Sequence, residues 1–152
     1  MAGKPGLLWS VFTMKCPRCR KGPMFTDPNP WHLKTMLHMP VKCPECGQQF
    51  ELEVGFWYGT GYVSYVLTVL FSGLSFAAWW LTIGFSLSDQ RFFWWLGSNA
   101  VAMILLQPWL MRLSRAIYLY FFVSYQPDYH DRAPTTFDYT TEDFYLKQDK
   151  KA

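Results

Sequence analysis

Four cysteines form the one residue pattern in this chain with a defined chemistry: Cys16-Pro17-Arg18-Cys19 and Cys43-Pro44-Glu45-Cys46, with 23 residues between the pairs. Two residues between sulfurs allow a turn that points both thiolates at one place, and Pro17 and Pro44 preset its backbone. Two such knuckles can present four sulfurs to a single tetrahedral ion. Cys16, Cys19, Cys43 and Cys46 are therefore the predicted metal ligands, with Zn2+ as the predicted ion and iron as the alternative, because a four-thiolate tetrahedron suits both. Gly47 follows the fourth cysteine and can take the positive φ that aims backbone amides at sulfur. Arg20 stands at that place in the first knuckle, with Gly22 displaced by two, so the first knuckle is expected to be the less regular one.

Four thiolates around a divalent cation leave a net charge of about −2, and Lys15, Arg18, Arg20, Lys21 and Lys42 lie beside the ligands in sequence. These bases are expected to balance the site or to meet anionic lipid head groups. Structural disulfides are disfavoured in a reducing compartment, and two ribbon-spaced pairs without a thioredoxin-like pattern favour metal over thiol exchange. His32, His38 and His130 complete no ligand spacing and read as surface or packing residues. No nucleophile, base and acid pattern and no Gly-rich phosphate loop is legible, so no catalytic residues are assigned and an enzyme is not expected.

The elements that must position these cysteines divide the chain into three zones. Residues 1–53 are polar and hold the cysteines, 54–126 are apolar and aromatic, and 127–152 form a polar tail that is expected to be disordered, the alternative being a partner-docking strand. In the first zone Phe50, Leu52 and Val54 alternate with Gln49, Glu51 and Glu53, which predicts a strand over 48–54 and a zinc-ribbon-like β head. Val54 to Ser88 is a run of 35 residues without a charged side chain. A helix of about 20 apolar residues crosses a bilayer, and two stretches qualify, at about 58–85 and 92–111. The link between them is too short for a domain, which makes a transmembrane hairpin with an interfacial extension up to residue 126. Asn99 and Gln107 are polar at membrane depth and should find partners across the hairpin or in an oligomer, while Pro108 should bend the second helix.

Of the 14 Lys and Arg residues, only Arg91 lies in the link, so both termini are predicted to be cytoplasmic, and Arg112 and Arg115 directly after the second span reinforce that orientation. Leu7 to Phe12 is too short for a secretory signal, and the first span is expected to direct insertion itself. A formal charge of +3 is too modest for a nucleic-acid partner. The expected partners are the lipid bilayer and either a membrane protein or a second copy of the chain.

Cys16-Pro-Arg-Cys-Arg-Lys-Gly-Pro-Met-Phe25, the segment Cys43 to Phe50, and Gly55 and Gly59 at the entry to the first span resemble the domain of unknown function 983 family, over about residues 12–126. The resemblance implies a small bacterial inner-membrane protein with a zinc-ribbon-like segment and two helices. The family usually has Gly where Arg20 stands, and the aromatic second half and acidic tail here depart from it. No activity follows from the resemblance, though it points faintly towards haem-copper oxidase assembly. The expected function is that of a membrane-anchored zinc-ribbon interaction or assembly factor, the alternative being a thiolate redox carrier or metal-delivery protein in such an assembly.

Overall fold

The computed structural model describes residues 6–53, 55–84 and 90–134. Three helices organise them: α1 (Leu7–Phe12), α2 (Thr60–Ile83), entered through a 3-10 turn at Phe56–Gly59, and α3 (Arg91–Phe122). The remainder of the polar zone is a loop-built head containing both cysteine pairs.

The entry to α2 depends on glycine twice. Gly55 turns the chain with φ 82°, and a Cβ on Gly59 would lie 2.2 Å from the Tyr118 hydroxyl, so the Tyr118 ring of α3 rests directly on the backbone at Gly59. At the far end, Gly84 takes φ 83° and its N–H returns to the Trp80 carbonyl. The Arg91 guanidinium then donates to the Ile83 carbonyl at 3.0 Å, covering an acceptor that the end of α2 leaves open.

α2 and α3 run antiparallel and are the most extensively packed pair of elements. Between them Asn99 Nδ2 donates to Ser72 Oγ at 3.3 Å, the Ser75 hydroxyl lies 3.0 Å from Asn99 Oδ1, and Trp95 Nε1 donates to Ser75 Oγ at 3.3 Å. The expectation that Asn99 is satisfied across the hairpin is met, by the hydroxyls of Ser72 and Ser75. Both helices are long and apolar enough to cross a membrane, and in the most apolar window of the first none of the residues is buried inside the protein. Leu81 and Ile104, at 86% and 74% exposure, mark that outward apolar surface.

α3 is the organising element. Its 32 residues span about 48 Å at about 1.5 Å per residue, well beyond a hydrocarbon core of about 30 Å. Pro108 is buried inside α3 and does not end it. The last turns carry the core: Ala116, Leu119 and Val123 pack with Met24, Phe25, Phe50, Leu52, Phe56 and the cysteines. Each fully buried large apolar side chain of this kind contributes roughly 1.5–3 kcal/mol, so the head is built on α3.

The predicted β head is corrected. Among the described residues there is no strand, only isolated bridges at Lys15↔Pro23 and Lys42↔Gln49, one per knuckle. The inward side of the alternation is real, since Phe50 and Leu52 are each 1% exposed, but Gln49 is buried too. The physical reason is that the chain beyond Gln49 pairs with α3 through side chains. Its backbone finds one cross-chain bond, from the Phe50 N–H to the Val41 carbonyl, before turning into the helix entry. A hydrophobic partner face has replaced a ladder.

The tail expectation is modified in its first residues. Positions 126–133 are held against the head by bonds described below, and the rest of the predicted disordered tail lies outside the described residues.

Candidate metal centre

Each knuckle is closed by its own backbone. In the first, the Cys16 N–H donates to the Gly22 carbonyl and the Arg20 N–H to the Cys16 carbonyl; in the second, the Cys43 N–H donates to the Gln48 carbonyl and the Gly47 N–H to the Cys43 carbonyl. Gly47 has φ 68°, and Arg20 has φ 55° at the matching place. The first knuckle thus repeats the left-handed turn of the second, with an arginine accepting a conformation that costs an L-residue roughly 1–2 kcal/mol, but it closes one residue later, at Gly22 for Cys16 against Gln48 for Cys43. Contacts of the Arg20 side chain oppose that cost, its guanidinium lying 4.3 Å from the Tyr125 ring centre.

Gly22 does different work from the expected turn glycine. Its N–H points at Cys19 Sγ at 3.5 Å, and a Cβ there would lie 2.5 Å from Cys43 Sγ. Only a residue without a side chain lets the first knuckle approach the third sulfur this closely. The Cys-x-x-Cys-x-x-Gly spacing was the signal available for that role.

The two knuckles bring all four predicted ligands together. Their Sγ atoms lie within 4.8 Å of one another, with Cys16 to Cys46 at 3.7 Å and Cys19 to Cys43 at 3.8 Å. A tetrahedron with metal–sulfur bonds of about 2.3 Å has edges of about 3.8 Å. The cluster therefore has the size of a tetrathiolate site. Cys16, Cys19 and Cys43 are buried and Cys46 is half-buried, and none forms a disulfide. Crowding splits their proton affinities: hydrogen bonds from the Cys16 and then the Cys43 thiol hold Cys19 far below the usual thiol range, whereas burial pushes Cys46 up to about 12. A bound cation would relieve the mutual repulsion that keeps four thiolates from coexisting.

The neighbouring bases have other partners than sulfur. Arg18 is fully buried, and its guanidinium donates to the Gln126 side-chain oxygen at 3.1 Å and to the carbonyls of Cys46 at 3.2 Å, Tyr129 at 3.4 Å, Ala133 at 3.1 Å and Arg132. Lys21 donates to the Tyr129 hydroxyl at 3.3 Å. Arg18, Arg20 and Lys21 thus bind the segment after α3 to the first knuckle, and the burial of Arg18 removes it from any lipid contact.

Arg112 and Arg115, read from the sequence as orientation signals, also have partners within the head. Arg112 is 2% exposed and donates to the carbonyls of Met36 at 2.6 Å, Asn29 at 2.9 Å and Pro28 at 3.4 Å, with its plane 4.8 Å from the Phe25 ring centre. Arg115 donates to the Leu37 carbonyl at 3.0 Å and sits over the Trp57 ring. One turn of α3 thereby fixes the insert between the cysteine pairs. Within that insert Asp27 accepts from the Asn29 N–H, the Thr35 hydroxyl and the His32 ring, and these bonds hold its carboxyl down at about 2. His38 meets Thr26 and His130 packs on Tyr129. Among the described residues the only group of potential metal ligands is the four cysteines.

Comparison of the chain with protein-family models, with characterised proteins and with solved structures gives no match.

Proposed function

We propose that the protein is a membrane-anchored, tetrathiolate zinc protein whose metal is structural, and that it acts as an interaction or assembly factor presenting its head on the inner face of a bacterial cytoplasmic membrane. The observation that carries this reading is the sulfur cluster itself: four thiols at tetrahedral spacing, three of them buried, in the same core as the last turns of α3. Bound zinc would tie the two knuckles directly to each other, adding to the Arg18 bond to the Cys46 carbonyl and to their shared core, because each isolated bridge lies within one knuckle.

Burial is what favours a structural metal over the redox or delivery alternative. A reactive thiolate needs an accessible sulfur, and Cys16, Cys19 and Cys43 are at most 3% exposed. The membrane part of the reading rests on the outward-facing apolar surface of two long helices and on the uncharged run from Val54 to Ser88.

Metal analysis of the full chain purified in mild detergent tests the proposal, with an absorption spectrum of the same sample. One equivalent of zinc per chain in a colourless protein, lost together with the ordered head in Cys43→Ser, is the expected result. A red, iron-containing sample would transfer the site to iron. Protein free of stoichiometric metal, or Cys43→Ser with an intact head, would refute the structural-zinc reading.

A further inference from the structure

The head exposes two apolar clusters that its own core does not use. On α1, Leu8 and Trp9 are 71% and 72% exposed; on the insert, Trp31 and Leu33 are 57% and 70% exposed. Both clusters are attached to the same short stretch of α3. Phe12 of α1 stacks on Trp109 with ring centres 6.1 Å apart, and the insert is held by Arg112 and Arg115. The insert also has a direction along the helix: Leu37 is bound at Arg115, while Met36, Asn29 and Pro28 are bound one turn earlier, at Arg112. Both ends of the tip between Asn29 and Met36 are therefore held at Arg112, one turn from Trp109 and on its side of Arg115.

That stretch of α3 is where a bilayer would end. Counting about 20 residues for about 30 Å of hydrocarbon from Arg91 at the start of α3 places the boundary close to residue 111. Tyr62 and Tyr65, on the antiparallel partner helix near the same level, are 80% and 69% exposed. Tyrosine and tryptophan favour the level of the lipid head groups, with the ring body in the acyl boundary. Lys34 beside Leu33 is exposed, as suits a cation facing anionic lipid.

We infer that α1 and the tip of the insert form a collar around α3 that sinks Leu8, Trp9, Trp31 and Leu33 into the interfacial layer of the same leaflet, so that the metal head is seated on the lipid rather than held above it by a free stalk. The occupant of both apolar clusters is the lipid surface, because they continue the lipid-facing belt of the hairpin at its edge. This rests on the membrane reading proposed above.

The test uses the metal-loaded full chain in vesicles of phosphatidylethanolamine and phosphatidylglycerol, with the photoreactive residue p-benzoylphenylalanine placed singly at Leu8, Leu33, Ile104 or Glu45, followed by mass spectrometry of the adducts. Ile104 reports on the span, and Glu45 is an exposed position on the second knuckle. Lipid adducts at positions 8, 33 and 104, and none at 45, are expected. Adducts at 104 without adducts at 8 and 33 overturn the collar while leaving the span in place. Absence of lipid at 104 overturns the membrane reading itself. Crosslinks from 8 or 33 to a second copy, or lipid adducts at 45 as abundant as at 33, also overturn the collar.

Discussion

Arg18 lies between two ligands of the first knuckle, yet its guanidinium serves the far end of the chain, and replacing it should release that end selectively. Its five acceptors are not equivalent. The carbonyls of Arg132 and Ala133 belong to exposed residues and Tyr129 is half-buried, so water can take over much of their bonding once the arginine is gone. Gln126 and Cys46 are half-buried like Tyr129, and two unreplaced bonds among these three acceptors set the scale of the loss. Hydrogen bonds to a charged group contribute about 1.5–3 kcal/mol each. Two that are not replaced therefore amount to about 3 kcal/mol at the lower end of that range, or roughly a hundredfold in the opening equilibrium of the segment, at about 1.4 kcal/mol per factor of ten. Arg18→Met keeps much of the apolar stem and removes the donors. In the metal-loaded protein, hydrogen exchange at the Gln126 amide, which donates to the Arg18 carbonyl at 3.0 Å, reads the opening directly. Exchange about a hundredfold faster there and across 126–133, with α2 and α3 amides near Asn99 unchanged, is the expected outcome. Unchanged protection at Gln126 would show that the segment is held by something else. Equal loss of protection throughout the helices would show that Arg18 supports the whole fold.

Gly22→Ala should push Cys43 Sγ from its place, since the added Cβ would fall 2.5 Å from it, and should speed metal loss to a competing chelator at least tenfold; Gly6→Ala, with open space around it, should not. Gly59→Ala should destabilise the meeting of α2 and α3 by about 1–3 kcal/mol through overpacking, because its Cβ would lie 2.2 Å from the Tyr118 hydroxyl. Adding Tyr118→Leu should recover most of that loss in a thermal unfolding assay, and no recovery would place the clash elsewhere. Asp27 has a carboxyl depressed to about 2 by its hydrogen bonds. Its stabilisation of the insert is present above the ordinary carboxylate range, near pH 4, and is lost as pH falls through about 2. Nuclear magnetic resonance of the Asn29 amide during acidification should therefore show its bond to Asp27 surviving to below pH 4, and loss of that bond near pH 5 would contradict the assignment.

What the sequence disclosed follows from how local each signal is. The Cys-x-x-Cys spacings fix which sulfurs can share an ion because two intervening residues constrain a turn regardless of surroundings, and the long uncharged runs disclose helices because backbone satisfaction in an apolar setting allows little else. The strand over 48–54 failed for the opposite reason. Alternation reports which side chains face a core but not what the backbone pairs with, and here the covering face is a helix 60 residues away in the chain. Arg18, Arg112 and Arg115 were read from their neighbours in sequence, as charge balance and as orientation signals. Their partners are the Gln126 side chain and backbone carbonyls, which lie 76 to 115 residues away except for the Cys46 carbonyl, 28 residues from Arg18, and no sequence pattern encodes them. Arg20 at φ 55° shows the same limit: a position that reads as a glycine site tolerates arginine when the surrounding knuckle over-determines the turn.

The arginines at the end of the second span illustrate how one residue can answer to two constraints at once. A guanidinium just beyond a hydrocarbon core biases the chain's orientation by charge alone, and lysine would do that equally well. Arg112, however, is 2% exposed and divides its donors among three carbonyls of the insert while its plane covers Phe25. A planar fork with five donors can satisfy several acceptors and stack at once, whereas an ammonium cannot. The charge read from the sequence as an orientation signal is thus the group around which the loop between the cysteine pairs is folded. Since α3 passes without interruption from the apolar hairpin into the core shared with Cys16, Cys19 and Cys43, a rotation or axial shift of that helix would have to move the insert and both knuckles with it. The cysteine head and the hairpin are therefore one mechanical unit, joined through Arg112, Arg115 and the Ala116, Leu119 and Val123 face.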